Sequence, residues 1–101
     1  MIVRFTPEAD NELVEARQWY ARQRNDLDLE FMQSIDDALS RVVANPQQYP
    51  MVYRTLRRCV VRRFPFAIFY TVSADEIEVV AVFHSRRNPR RWKSRLRAAG
   101  E

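Results

Sequence analysis

The sequence predicts an α+β chain of order β-α-α-β-β-β, with a helical hairpin packed on a small antiparallel sheet and a short basic helix at the C-terminal end. Three observations carry this expectation. Apolar residues recur at helical spacing between Ala9 and Val42. After Pro50 the pattern changes to short β-prone runs. The last two of these, Phe66–Val72 and Ile77–Phe83, are equally long and separated by a turn-like Ser73-Ala74-Asp75-Glu76, as an antiparallel hairpin requires.

Each element has a local reason. Ile2–Phe5 is β-prone and is followed by Thr6-Pro7, an N-cap residue and a proline suited to the first helical position, where its missing N–H costs nothing. Glu8, Asp10 and Glu12 then lie near the positive end of the helix dipole. Ala9, Leu13, Ala16 and Tyr20 form one apolar stripe, and the helix is expected to run to about Arg24. Asn25 and Asp26 supply a stop and a new cap. Leu27, Phe31, Ile35, Ala38, Leu39 and Val42 mark a second amphipathic helix, which Asn45-Pro46 ends because the residue before proline is pushed out of helical geometry. The short connection makes the two helices an antiparallel hairpin. Gln47–Tyr53, with Pro46 and Pro50, reads as an extended loop. Thr55–Arg62 reads as a strand with one wet face, and Phe66–Val72, apolar on both faces, as a central strand. Asn88, Pro89 and Gly100 bound the terminal helix, with Trp92, Leu96 and Ala99 as its docking stripe.

Composition narrows the function classes. The 101 residues hold 47% hydrophobic and 30% charged side chains, which fits a single globular domain over 1–101. The 17 basic residues, nearly all arginine, exceed the 13 acidic ones, for a net charge of +4. Residues 1–50 are acidic on balance and residues 51–101 strongly basic. With one cysteine, Cys59, and one histidine, His84, neither an intramolecular disulfide nor a cysteine- or multi-histidine-based metal site can be assembled. One glycine leaves no phosphate-cradling or dinucleotide-binding turn, so neither cofactor nor metal is expected. The longest apolar run, Phe64–Val72, is broken by Pro65 and too short to span a bilayer, and Arg4, Pro7, Glu8 and Asp10 interrupt any leader-like segment. A cytoplasmic protein without membrane contact is the resulting expectation.

The start RFTPEADNEL, and above all RRFPFAIFYTVSADEIEVVAVFHSRRNPRRW, resemble the ParE/RelE superfamily of bacterial toxins, with the ParE branch of plasmid stabilisation proteins the closer match. The resemblance covers nearly the whole chain and is most specific from Arg62-Arg63-Phe64-Pro65-Phe66 through His84-Ser85-Arg86-Arg87-Asn88-Pro89 and Trp92. It implies a type II toxin neutralised by a small antitoxin encoded beside it. ParE-like members are associated with inhibition of DNA gyrase and RelE-like members with cutting mRNA on the ribosome, so the scaffold alone does not choose between them.

The residues supply two candidate sites. For metal-independent RNA cleavage, Arg62 and Arg86 would neutralise phosphate and His84 would act as acid or base. No tyrosine follows the last strand and no glutamate stands in the basic strand region to partner His84, so a strand-end polar residue bonded to the adjoining loop is its simpler reading. The second candidate is a binding face made of Arg54, Arg57, Arg58, Arg62, Arg63, Arg86, Arg87 and Arg90 beside Phe64, Phe66 and Trp92. Guanidinium groups pair with carboxylates in bidentate fashion, which suits an acidic antitoxin segment that folds on binding. The same charges could hold phosphate, making direct nucleic-acid contact a secondary use. Trp92 reads as the anchor of the terminal helix, Trp19 lies off the buried stripe of its helix, and Cys59 reads as a small buried hydrophobe. Asp36 and Asp37 point to different azimuths and make no catalytic pair, and the acidic face of the first helix reads as solvated surface.

The residues point to a toxin that acts by binding rather than catalysis, and the resemblance implies DNA gyrase as its target. The alternatives are a ribosome-dependent endoribonuclease and a non-toxic module that keeps only the antitoxin-binding surface.

Overall fold

The computed structural model describes residues 1–85, 90, 93 and 94. Strand β1 (Ile2–Phe5) leads into helix α1 (Pro7–Gln23) and helix α2 (Leu27–Ala44). Strands β2 (Met51–Tyr53), β3 (Leu56–Val60), β4 (Phe66–Val72) and β5 (Glu76–His84) follow. The five strands form one sheet in the order β1-β5-β4-β3-β2. Both helices pack on one face of it.

Local chemistry sets the helix boundaries. The Thr6 hydroxyl accepts from the Ala9 N–H at 3.2 Å and Pro7 opens α1. Asp26 precedes α2 in the left-handed region (φ 66°), and its side chain makes no capping bond, so the cap expected there is absent. Asp26, Arg54 and Arg63 all have positive φ. The chain's one glycine is Gly100, so these turns are built from residues that carry a Cβ, at about 1–2 kcal/mol each. Asp26 is the residue type best suited to this; the two arginines are not.

The sheet departs from expectation at both edges. Met51–Tyr53, read as loop, is an edge strand that pairs antiparallel with β3 through Met51↔Arg57 and Tyr53↔Leu56, with a register shift between them. Three residues next to Pro50 are too few to display a strand period. At the other edge β1 runs parallel to β5, Ile2↔Glu76 through Phe5↔Val79, so the sheet is mixed rather than antiparallel. These partners lie more than 70 residues apart, beyond the reach of any turn signal. Arg4 fixes the pairing by bonding both Glu76 and, at 2.9 Å, Glu78. The helix expected near the C-terminus falls largely outside the described residues; Arg90, Lys93 and Ser94 are helical, and the Lys93 ammonium lies 5.2 Å from the centre of the Tyr53 ring.

The β4–β5 hairpin contains the feature that matters most for the site. Phe69 pairs with Ala81 and Tyr70 with Val79, leaving Val80 as an extra residue in β5. Before this bulge Ile77 and Val79 face the helices; beyond it Val82 does. Val80, Ala81 and Phe83 belong instead to the apolar cluster on the opposite face, with Leu56, Ala67 and Phe69. A bulge shifts side-chain parity by one and so changes which residues a strand presents to each face.

On the helix side the core is aromatic. Tyr20 and Phe31 stand with ring centres 4.9 Å apart, and Phe64 packs edge-on against both, at 5.0 and 5.3 Å. Phe66 stands 5.3 Å from Phe31. Such edge-to-face pairs add about 0.5–1.5 kcal/mol each beyond the area they bury. The knot ties both helices to the β3–β4 connection and the start of β4.

Deeper in the same core, Tyr70 is fully buried and its hydroxyl donates to the Pro46 carbonyl at 2.7 Å. Burial pushes its phenol up to about 12. An unfolded tyrosine titrates near 10. The folded state therefore holds the proton more tightly, and this contribution is complete below pH 10 and lost as pH rises from about 10 to about 12. Urea midpoints are expected to fall across that window. Tyr70→Phe should flatten the fall and cost about 1 kcal/mol at neutral pH through the lost bond to Pro46.

Candidate functional site: a cleft between the first helix and the last strand

The arginines predicted to form one face differ in what they contact. Arg57 is half-buried, and its Nη1 donates to the carbonyls of Gln47 at 3.1 Å and Tyr49 at 2.6 Å, tying the 45–50 loop to β3. Arg58 is exposed on the opposite side of the same strand. Arg54 sits at the β2–β3 turn with its guanidinium 5.1 Å from the centre of the Tyr53 ring. Arg62 and Arg63 are exposed in the β3–β4 connection, and Arg63 donates to Glu30 at 2.9 Å. Arg24 holds the same carboxylate at 3.0 Å, and these two guanidiniums, Arg24 first, keep Glu30 below its ordinary value. Arg90 is exposed, while Arg86, Arg87 and Trp92 lie outside the described residues. Among the placed arginines, Arg57 and Arg63 serve as structural ties, and Arg58 and Arg62 are exposed.

Cys59 is fully buried, as its surroundings in the sequence anticipate. Burial pushes its thiol up, against the smaller opposing effects of the Tyr49 hydroxyl and the Arg41 and Arg62 charges. A buried thiol held protonated is packing material rather than a nucleophile.

A cleft lies elsewhere among the described residues. Strand β1 pairs with β5 only as far as Val79, and β5 continues to His84. The chain crosses above this point: the Thr6 N–H donates to the Val79 carbonyl at 3.0 Å and the Thr6 hydroxyl to the Val80 carbonyl at 3.4 Å. Helix α1 then covers the remaining edge. The Val82 N–H, which a neighbouring strand would otherwise take, donates to Glu12 Oε1 at 3.0 Å. Between α1 and the end of β5 a cleft of about 700 Å³ remains. Its lining includes Ala16, Tyr20, Phe66 and Val82 among apolar residues, with Pro65 beside them and Glu12, Glu15, Gln18, Arg22 and His84 as polar members. Trp19 lines it too, half exposed, its ring 5.1 Å from and nearly perpendicular to that of Tyr20.

His84 is brought into this cleft by the bulge at Val80. Its imidazole packs edge-on against Phe66, ring centres 5.5 Å apart. Arg62, its proposed catalytic companion, does not line the cleft, whereas two carboxylates, Glu12 and Glu15, do. Glu12, Glu15, Trp19 and Arg22 were legible as a group only through their spacing of three, four and three residues, which places them on one flank of α1 beside its buried stripe. Glu8, Asp10 and Glu15 are exposed, as expected of a solvated acidic surface, while Glu12 departs from it because the sheet edge engages its carboxylate. An arrangement of aromatic floor, half-exposed indole and charged rim is suited to gripping side chains of a partner.

The two kinds of arginine separate experimentally. Arg57→Ala is expected to cost about 1.5–3 kcal/mol, the range for hydrogen bonds made by charged groups. Arg58→Ala should stay within about 0.5 kcal/mol, as for an exposed side chain. Denaturant midpoints of the two variants measure the difference.

Comparison with known proteins agrees with this architecture. No match is found among curated proteins. One solved structure, described as the chromosomal ParDE TA system from P. aeruginosa, superposes with a TM-score of 0.72 over 83% of this chain and 95% of the other at 19% identity, a likeness of fold. The sequence matches the family described as the ParE toxin of the type II toxin–antitoxin system parDE over residues 3–89, all but the two ends of the chain. The chain belongs to the ParE toxin family.

Proposed function

We propose that this chain, folded as a single domain, arrests growth by binding DNA gyrase and is held inactive by a cognate antitoxin with an acidic segment that folds on binding. Membership of the ParE toxin family across residues 3–89 is the observation that carries the reading. It acts in the cytoplasm, where its target is found, and its maintenance role is that of a plasmid-stabilisation toxin. No helix among the described residues is long and apolar enough to cross a membrane.

The surroundings of His84 favour binding over RNA cleavage. Glu12 and Glu15 share its cleft and would repel a phosphate backbone approaching the imidazole. Its ring is engaged with Phe66, and Arg62 lies outside the lining. The exposed arginines, Arg58 and Arg62 among them, would serve the target or antitoxin carboxylates, with nucleic acid a secondary partner.

Purified gyrase should lose supercoiling activity when the protein is added, and His84→Ala should leave that inhibition intact. Undiminished supercoiling at high molar excess would overturn the gyrase assignment. Cleavage of ribosome-bound mRNA abolished by His84→Ala would instead establish the endoribonuclease reading.

A further inference from the structure

We infer that one corner of the sheet face turned away from the helices, where Arg54, Arg58 and Lys93 gather about Tyr53, binds the sugar–phosphate backbone of duplex DNA without reading its sequence. The inference rests on the gyrase reading above, which brings the protein to an enzyme that holds DNA, and it names the surface that meets the nucleic acid.

The first argument is placement. Tyr53 lies opposite Leu56 across the β2–β3 hairpin and packs against the apolar cluster of that face. The Arg54 guanidinium stands 5.1 Å and the Lys93 ammonium 5.2 Å from the centre of the Tyr53 ring. Arg58 follows Leu56 by two positions, so strand alternation sets it on the same face, about 7 Å further along. It is exposed there. Three cations from three different stretches of the chain thus converge on one corner.

The second argument is charge. No Asp or Glu occurs between Asp37 and Asp75, a stretch that holds β2, β3 and β4. The carboxylates of β5, Glu76 and Glu78, stand toward the other edge of the sheet and are bonded to Arg4 of β1. The face is therefore neutralised at its β1 edge and positive at its β2 edge. Cations gathered in this way repel one another, and a bound polyanion relieves the repulsion.

The third argument is the backbone. Arg54 has φ 52° in a two-residue hairpin turn, where Asn or Gly sits at lower cost. A strained position that keeps a long cation is accounted for by what that cation contacts.

The surroundings select phosphate among anionic and aromatic ligands. Base stacking needs a bare aromatic face, and the Tyr53 ring already carries two cations. An acidic peptide draws most of its affinity from anchors seated in apolar hollows, and Leu56, Phe69 and Phe83 on this face are already buried. A phosphate chain asks only for cations spaced along a surface.

Fluorescence anisotropy of the full chain with a labelled duplex of mixed sequence, across about 50–200 mM salt, is the test. The expected slope of log K against log salt is about −3, with each phosphate contact supplying about −0.9. Arg54→Ala, Arg58→Ala and Lys93→Ala should each reduce the slope by about one, equally on an unrelated duplex, and Arg54→Lys should keep it. Arg17→Ala, which removes an exposed charge from α1, is the control and should leave the slope unchanged. Far-ultraviolet circular dichroism of each variant confirms that it folds. Unchanged slopes in all three alanine variants, an equal loss in Arg17→Ala, or no binding by the unaltered protein would overturn the assignment. Tighter binding of single-stranded RNA than of duplex DNA would overturn it as well. Supercoiling assays separate this surface from the gyrase reading. Reduced slopes with gyrase unaffected would keep the phosphate surface and discard the target, and unchanged slopes with gyrase inhibited would do the reverse.

Discussion

Between Val79 and Ala81 strand β5 carries one residue that its partner β4 does not oppose, and the orientation of every side chain beyond it depends on that residue. In a regular strand Val82 and His84 would fall on the face away from the helices, since side chains alternate strictly. The extra residue returns them to the helix side, where Val82 offers its N–H to Glu12 and His84 meets Phe66. At the same height β1 ends and α1 begins, so the edge of β5 passes from strand pairing to side-chain pairing. The cleft exists because these two events coincide.

The aromatic knot makes this geometry firm. Tyr20 comes from α1, Phe31 from α2, Phe64 from the β3–β4 connection and Phe66 from β4, and each ring touches at least two others. No one element of this chain is stable alone; a helix of 17 residues with a weak apolar stripe gains most of its stability from tertiary packing. The knot therefore fixes the angle between α1 and the sheet, and with it the width of the cleft. The same residues that hold the fold together supply its floor, so loss of a floor ring should affect stability and the shape of the cleft together. Trp19 and Glu15, both exposed, contribute little to the core.

Much of this was legible in the sequence, and the boundary of legibility has physical causes. The Thr6-Pro7 start, the stripes of both helices and the β4–β5 hairpin all follow from interactions within a few residues, and the structure reproduces them. The resemblance carried by the second half of the chain is matched by family membership over 3–89. The parallel β1–β5 pairing joins segments more than 70 residues apart, the edge strand at Met51–Tyr53 is too short to show a strand period, and the bulge at Val80 leaves no mark in the apolar pattern of β5. The site suffered most from this. Counting arginines pointed to a single basic face, but charge in a sequence says nothing of direction: Arg57 turns inward to hold the 45–50 loop, Arg63 pairs with Glu30, and Arg58 looks out from the other side of the sheet. The acidic flank of α1 was visible as a spacing of Glu12, Glu15, Trp19 and Arg22, yet only the fold reveals that the end of β5 lies opposite.

The lopsided charge of the chain accordingly has a different meaning from the one its arithmetic conveys. The acidic half supplies the helix flank that, with the end of β5, forms the cleft, and the basic half supplies both structural ties and exposed cations on other surfaces. The geometry of the cleft rests on the bond between Glu12 and the Val82 N–H beyond the bulge. Amide hydrogen exchange, measured on the protein and on its Glu12→Ala variant, tests this most directly. The account predicts that the Val82 amide is protected in the unaltered protein and exchanges faster in the variant. Equal protection of Val82 in both would contradict it.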